Sequence, residues 1–173
     1  EKACAEILKE GLSKFKIQPG YFDFIGNDIR NKSTAQAFYD YIQKFYPILL
    51  NYFGVFLAND IVGSPVTHEI DGRLMSAGTL RFIKVLGDIL KHFIYKGKLT
   101  NEKPQLGHII EIGSGYGGQC KIISDYIDYE SYTLIDIKPS LDIAKMYLPC
   151  FMNIDFSRLK FMDTENIKLK EEQ

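Results

Sequence analysis

HIIEIGSGYGGQC, His108 to Cys120, followed by YTLID at Tyr132–Asp136, is the part of the chain whose reading decides the fold. The first stretch is a short apolar run, a glycine-rich turn and a helix start. The second is another apolar run, and it ends on an acid. The pattern predicts a strand His108–Ile112, a helix Gly117–Ile127 and a strand Tyr132–Asp136. That order builds a nucleotide cleft at the carboxyl ends of parallel strands. Glycines let the backbone turn sharply and leave room for a ligand against the helix N-terminus. Asp136 stands where a carboxylate accepts hydrogen bonds from two ribose hydroxyls, so the expectation is a nucleoside-bearing cofactor.

Two cofactors fit the spacing. Gly113, Gly115 and Gly118 match the dinucleotide pattern G-x-G-x-x-G, with Asp136 at a suitable distance. Gly113, Gly115 and Gly117 also match E-x-G-x-G-x-G, the pattern of S-adenosylmethionine enzymes. Glu111 favours the second, because a carboxylate beside a pyrophosphate is repelled at short range. S-adenosylmethionine brings an ammonium and a sulfonium and no phosphate. Tyr116 adds bulk inside the loop, where a pyrophosphate needs close approach of the backbone.

Outward from the loop, Ser140 is placed to cap a helix Leu141–Leu148 that Pro149 stops. Leu159–Met162 reads as a third strand with Asp163 at its carboxyl end. Within the first helix, Cys120, Ile123 and Ile127 are expected inside, and Lys121, Asp125 and Asp128 outside. The upstream half reads as mainly helical. Lys2–Phe15 has helix composition, Pro19–Asn31 reads as an aromatic loop, and Ser33 or Thr34 would cap a helix to about Phe53. Ala37, Tyr41, Phe45 and Ile48 lie along one side of that helix, which Pro47 kinks or ends. Asn59–Gly78 is irregular, with turn signals at Gly63-Ser64-Pro65, Asp71-Gly72 and Ala77-Gly78. Leu80, Ile83, Leu86, Leu90 and Ile94 recur at helical spacing, and Gly97 ends that helix. Asn101–Gln105 reads as a polar link.

With these residues in view, IEIGSGYGGQC and YTLIDIKPSLDIAKMYL resemble the sugar O-methyltransferases, a class I S-adenosylmethionine-dependent group. The stretch IVGSPVTHEIDGRLMSAGTLRFIKVL, Ile61–Leu86, with Gly72, Ser76, Thr79 and Arg81, is similar to the segment that precedes the first strand in that family. Lys138, before Pro139, departs from its pattern. The resemblance implies an α/β, Rossmann-like class I methyltransferase fold, of which the first three strands are visible, preceded by a mainly helical N-terminal region. Residues 1–100 would form the helical cap or acceptor side, and 101–173 the N-terminal half of the S-adenosylmethionine-binding domain. It further implies that Glu111, Gly113, Gly115 and Gly117 hold the amino-acid end of the cofactor, with Ser114 and Tyr116 of the same loop also in the cofactor site. Asp136 and Ile137 would take the nucleoside, with Asp163 near the adenine amine. The acceptor implied is a sugar hydroxyl in a glycan or glycosylated small molecule.

A sugar hydroxyl is a weak acid, so a base or a divalent metal is expected. His68, Glu69 and Asp71 form the compact His/acid cluster in the sequence; they read as a lid or metal site, or as a solvated turn. Arg81 reads either as a partner for the cofactor carboxylate or an acidic sugar, or as a surface ion pair at the helix start. His92 reads as a surface residue and His108 as structural. The remaining readings are an NAD-type oxidoreductase and a non-catalytic cofactor-binding or interaction fragment.

Composition narrows the field. With 21 basic and 22 acidic residues the net charge is −1, which gives no general attraction to nucleic acid or an anionic membrane. The 46% hydrophobic content is enough for one real core. Cys4, Cys120 and Cys150 are scattered without a metal pattern and read as reduced, which sets a cytoplasmic site as the default. The apolar stretch Phe45–Ala58 is too short for a membrane span and is broken by Pro47 and Asn51. Only the strands on one side of His108–Ile112 are legible, which would leave that strand with an open apolar edge. A longer protein, the helical region or a second chain in an oligomer is expected to cover it.

Overall fold

The computed structural model describes residues 2–96 and 103–166. Gly97, residues 101–102 of the polar link and residues 167–173 lie outside the described residues.

Helix α1 (Lys2–Glu10) ends where Gly11 turns to φ +80°, five residues earlier than its composition implied. The aromatic stretch expected as a loop is largely helical: Pro19 opens α2 (Pro19–Ile25), and a 3-10 turn follows at Asn27–Arg30. Proline fits a first helical turn because its missing N–H has no partner there. Helix α3 (Lys32–Phe45) stops short of Pro47, so it does not reach Phe53. Its buried side is Ala35, Tyr39 and Ile42, not the expected Ala37, Tyr41 and Phe45. Aromatics occupy both sides of α3, and spacing alone does not choose between them. Tyr41 and Phe45 instead stack on one another at 4.6 Å, and lysine ammoniums sit over both rings.

After a 3-10 turn (Pro47–Tyr52) and the single-turn α4 (Phe53–Phe56) comes a β-hairpin in the segment read as irregular. Its strands are β1 (His68–Ile70) and β2 (Arg73–Met75), and Asp71-Gly72 supplies the two-residue turn with positive φ at both positions. Ala77-Gly78 starts α5 (Ala77–Ile89) and is not a turn. Ser76 Oγ caps it, accepting from Thr79 N at 3.1 Å, and the Asp60 carboxylate accepts from Ser76 N, Ser76 Oγ and Thr79 Oγ1. Leu80, Ile83 and Leu86 are fully buried along α5, which runs into a π-turn at Leu90–Ile94.

The remaining elements are β3 (Gln105–Ile112), α6 (Gly118–Tyr126), β4 (Asp128–Asp136), α7 (Lys138–Tyr147) and β5 (Leu159–Asp163). The strands form a parallel sheet in the order β3-β4-β5, with Ile112 opposite Ile135 and Asp136 opposite Asp163. The protein is thus an α/β structure with a small three-stranded parallel sheet and a large helical share. Right-handed crossovers that step in one direction put α6 and α7 on the same face. Burial agrees: Tyr132, Leu134 and Leu159 are buried there, while Ile110, Ile112 and Met162 on the other face are exposed.

The core is continuous from the N-terminal helices to the sheet, and includes Ile7, Ile42, Leu86, Ile123 and Leu134. That continuity overturns one expectation about α6. Lys121 and Asp125 are buried, and form a 2.5 Å ion pair beneath α4, where Lys121 Nζ also donates to Val55 O. The helical region packs over the side of α6 that faces water in a two-layer unit. Among the described residues, no helix is long and apolar enough to cross a membrane.

Candidate cofactor site

The glycine loop leaves β3 at its carboxyl end and enters α6. Gly113, Gly115 and Gly117 have φ of +74°, +54° and +86°, where L side chains are strained. A side chain on Gly113 would meet nothing within 4 Å, so the backbone there borders open space. One on Gly117 would press on Leu148 at 3.1 Å. Asp136, at the end of the neighbouring strand, laces the loop in place. Its Oδ2 accepts from Gly115 N at 2.7 Å and its Oδ1 from Ile137 N at 2.7 Å. Ser114 is 6% exposed, and its buried Oγ has no hydrogen-bond partner among the described residues. A buried hydroxyl in that state is costly unless something arrives to pair with it.

Glu111 lies on the covered face of β3, half-buried, and accepts a 2.8 Å hydrogen bond from Tyr132 OH. Burial pushes its carboxyl up to about 7, and the charge of Asp136 adds to this while the Tyr132 bond opposes it. No basic side chain pairs with it among the described residues. Parallel register explains the Tyr132 contact, since Ile109 is opposite Tyr132 and Glu111 is one pleat further along. The sequence pattern alone did not reveal it.

Tyr116 turns away from the loop into an aromatic core, 6% exposed, against Phe15 at 5.1 Å, Tyr147 at 4.8 Å and Phe82 at 6.1 Å. Behind these rings is Lys16, 1% exposed, with Nζ 5.2 Å from the Tyr116 centroid and bonded to Asn59 O and Tyr147 OH. Burial lowers its ammonium to about 7. Nothing in SKFKI marks this lysine as interior.

The other candidates are distributed as follows. Asp163 ends β5 directly opposite Asp136 and lines an open cleft of about 480 Å³ with Lys138, Leu141, Phe161 and Met162. Ile137 precedes α7 and lines a separate cavity of about 240 Å³ with Gly115 and Tyr116. Arg81 donates to Ile25 O at 3.0 Å, which ties α5 to the end of α2. His68, Glu69 and Asp71 are not brought together. Strand alternation puts Glu69 on the opposite face from His68, His68 Nε2 bonds Arg30 O, and Asp71 accepts from Tyr39 OH at 2.6 Å. Among the described residues, no group of three His, Cys, Asp or Glu is placed to hold a metal ion. His92 is exposed, and His108 bonds Ser131 Oγ at 2.9 Å on the uncovered face.

Fold and site together define an α/β protein with a glycine-rich strand–turn–helix at the carboxyl end of a parallel sheet, anchored by an acid from the next strand. No family model, curated protein or solved structure matches the chain.

Proposed function

We propose that the glycine loop holds S-adenosylmethionine, and that the chain is the cofactor-binding part of a Rossmann-like O-methyltransferase acting on a sugar hydroxyl. The observation that carries the reading is Glu111: a half-buried carboxylate, raised to about 7 and with no basic partner among the described residues, two residues before the open Gly113. A ligand that presents an ammonium to this end of the loop supplies the missing partner. A pyrophosphate, as in the NAD-type alternative, would bring a like charge to it. Ser114 Oγ gains a partner in the same event.

In this reading Glu111, Gly113, Ser114, Gly115 and Gly117 hold the amino-acid end. Asp136 keeps lone pairs for ribose hydroxyls besides the two backbone N–H groups that it already accepts. Ile137 and Asp163 flank the base. S-adenosylmethionine supplies an electrophilic methyl on sulfur; the chain's residues bind, orient and exclude water. No base is assigned: His68 and Asp71 are bonded to Arg30 and Tyr39 and not to the loop. The sugar acceptor rests on the sequence resemblance, and a partner or second copy over the edge of β3 belongs to the same proposal.

The test is calorimetric titration with S-adenosylhomocysteine and, separately, NAD. The thioether should bind and NAD should not. Glu111→Gln should weaken binding by about tenfold, the scale of one lost charge-assisted hydrogen bond. The free carboxyl is protonated below about pH 7, whereas the bound ammonium needs the carboxylate. Affinity should therefore fall as pH drops below about 7 in the parent chain, level off about tenfold weaker near that of the variant, and stay flat in the variant. Preference for NAD would establish the oxidoreductase reading, and no binding by the folded chain would remove the cofactor assignment.

A further inference from the structure

The cavity of about 240 Å³ lies between the N-terminal helices and the glycine loop. Its walls include Cys4 and Ile7 from α1, Tyr21 from α2, Tyr116 from the loop, and Ser140 and Ile143 from α7. It also borders Gly115 and Ile137 of the proposed cofactor site. Phe15 closes a corner of three rings: it stands 5.7 Å from Tyr21 and 5.1 Å from Tyr116, and these two are 5.9 Å apart. Among the described residues, no charged side chain lines the space. Its polar atoms are mostly engaged. The Tyr21 and Tyr116 hydroxyls interact with each other, and Gly115 N donates to Asp136. Ser140 Oγ has only the weak partner Cys4 Sγ at 3.8 Å.

We propose that this cavity is a binding site for a flat, uncharged, largely apolar ring, up to bicyclic in size, oriented by one hydrogen bond to Ser140. Size sets the upper limit: a dry cavity of about 150 Å³ holds benzene, so this volume admits a second fused ring. Aromatic edges and faces set the shape, because offset and edge-on ring contacts add to simple burial. The absence of a lining charge sets the polarity, since an ion entering would lose its hydration without a partner. Adenine fits poorly, because its ring nitrogens and amine need several partners and the cavity offers one free hydroxyl. The site stands on the cavity alone and does not depend on the cofactor reading. Where that reading holds, the cavity seats the apolar part of a glycosylated small molecule beside the loop.

Indole is the probe, and its own fluorescence reports binding because the chain has no tryptophan. Titration of the full chain should give saturable binding at one site. Ile143→Phe, which fills the space, should weaken it by about tenfold or more. Ala3→Leu, a milder filling change on α1, serves if the first variant does not fold, as judged by circular dichroism. Indole-3-carboxylate should bind about tenfold more weakly than indole. The proposal is overturned by no saturable binding to the folded chain or by equal binding to the filled variants. A chain that binds indole but not S-adenosylhomocysteine would remove the proposed function and leave this site in place.

Discussion

Lys16 is the residue at which burial and charge conflict most sharply. Its ammonium faces Asn59 O and Tyr147 OH, the rings of Phe15, Tyr116 and Tyr147, and the more distant charges of Asp60 and Lys121. Desolvation dominates, and the group falls from its ordinary 10.5 to about 7. Between pH 7 and 10.5 the unfolded chain therefore carries a proton on Lys16 that the folded chain lacks. Stability rises with pH where the unfolded state binds more protons, so it should climb through this window and be lower below pH 7. Lys16→Met should remove that rise, read as the urea midpoint across pH 6–10; a slope unchanged in the variant would place the titration elsewhere. Asp136 presents a different choice. Its two backbone bonds give it a structural task in holding the loop, so Asp136→Ala should lower stability by about 2 kcal/mol through two orphaned N–H groups. Asp136→Asn keeps one acceptor for them and is the better probe of ribose binding, measured by the ratio of its affinity loss to its stability loss.

Helix α6 shows how an element acquires a buried ion pair. Its outer face meets α4 and the Asn153 loop instead of water, and Asn153 Nδ2 donates to Asp125 alongside Lys121. Removing one member of a buried pair leaves an uncompensated charge, so Lys121→Met should cost about 3–5 kcal/mol. Lys121→Met with Asp125→Leu should cost clearly less than the sum of the single changes, though Asn153 is then left without its acceptor. Urea unfolding of the four proteins closes the cycle. The same helix marks how far the sequence could be read. The loop, the three strands and the helices between them were legible in outline from apolar runs and from glycines at positive φ, but α7 starts at Lys138 with Pro139 in its first turn, so Ser140 lies inside the helix and does not cap it. The face of α6 that meets the N-terminal region was not, because Lys121 and Asp125 look like solvent residues until something packs on them. In α3 the aromatic side chains on both faces hid the inward one. At the site, Glu111 and Asp136 were legible from spacing, whereas Asp136 holding the loop, Tyr132 bonding Glu111 and the ring-lined cavity depend on tertiary register.

At the scale of the whole molecule, the described residues cover the sheet on one face only. Parallel sheets are ordinarily buried on both faces, because backbone pairing and apolar side chains leave no face suited to water. Here both crossovers lie on the face carrying Tyr132 and Leu134. The other face presents Ile110 at 65% and Ile112 at 81% exposure, with Met162 beside them and Ile135 half-buried. Among the described residues, no strand pairs with the outer edge of β3. An apolar face next to an open edge is a template for association, and charged side chains are the usual protection. The chain should therefore associate as its concentration rises, followed by sedimentation velocity. Ile112→Lys should lower that association while changing the unfolding free energy by only about 0.5 kcal/mol, since an exposed isoleucine contributes little to the fold. A large loss of stability in the variant would mean that Ile112 is packed within the chain itself. Association unchanged by Ile110→Lys and Ile112→Lys together would move the contact away from this face, to the exposed Phe93 or Leu74 elsewhere on the surface.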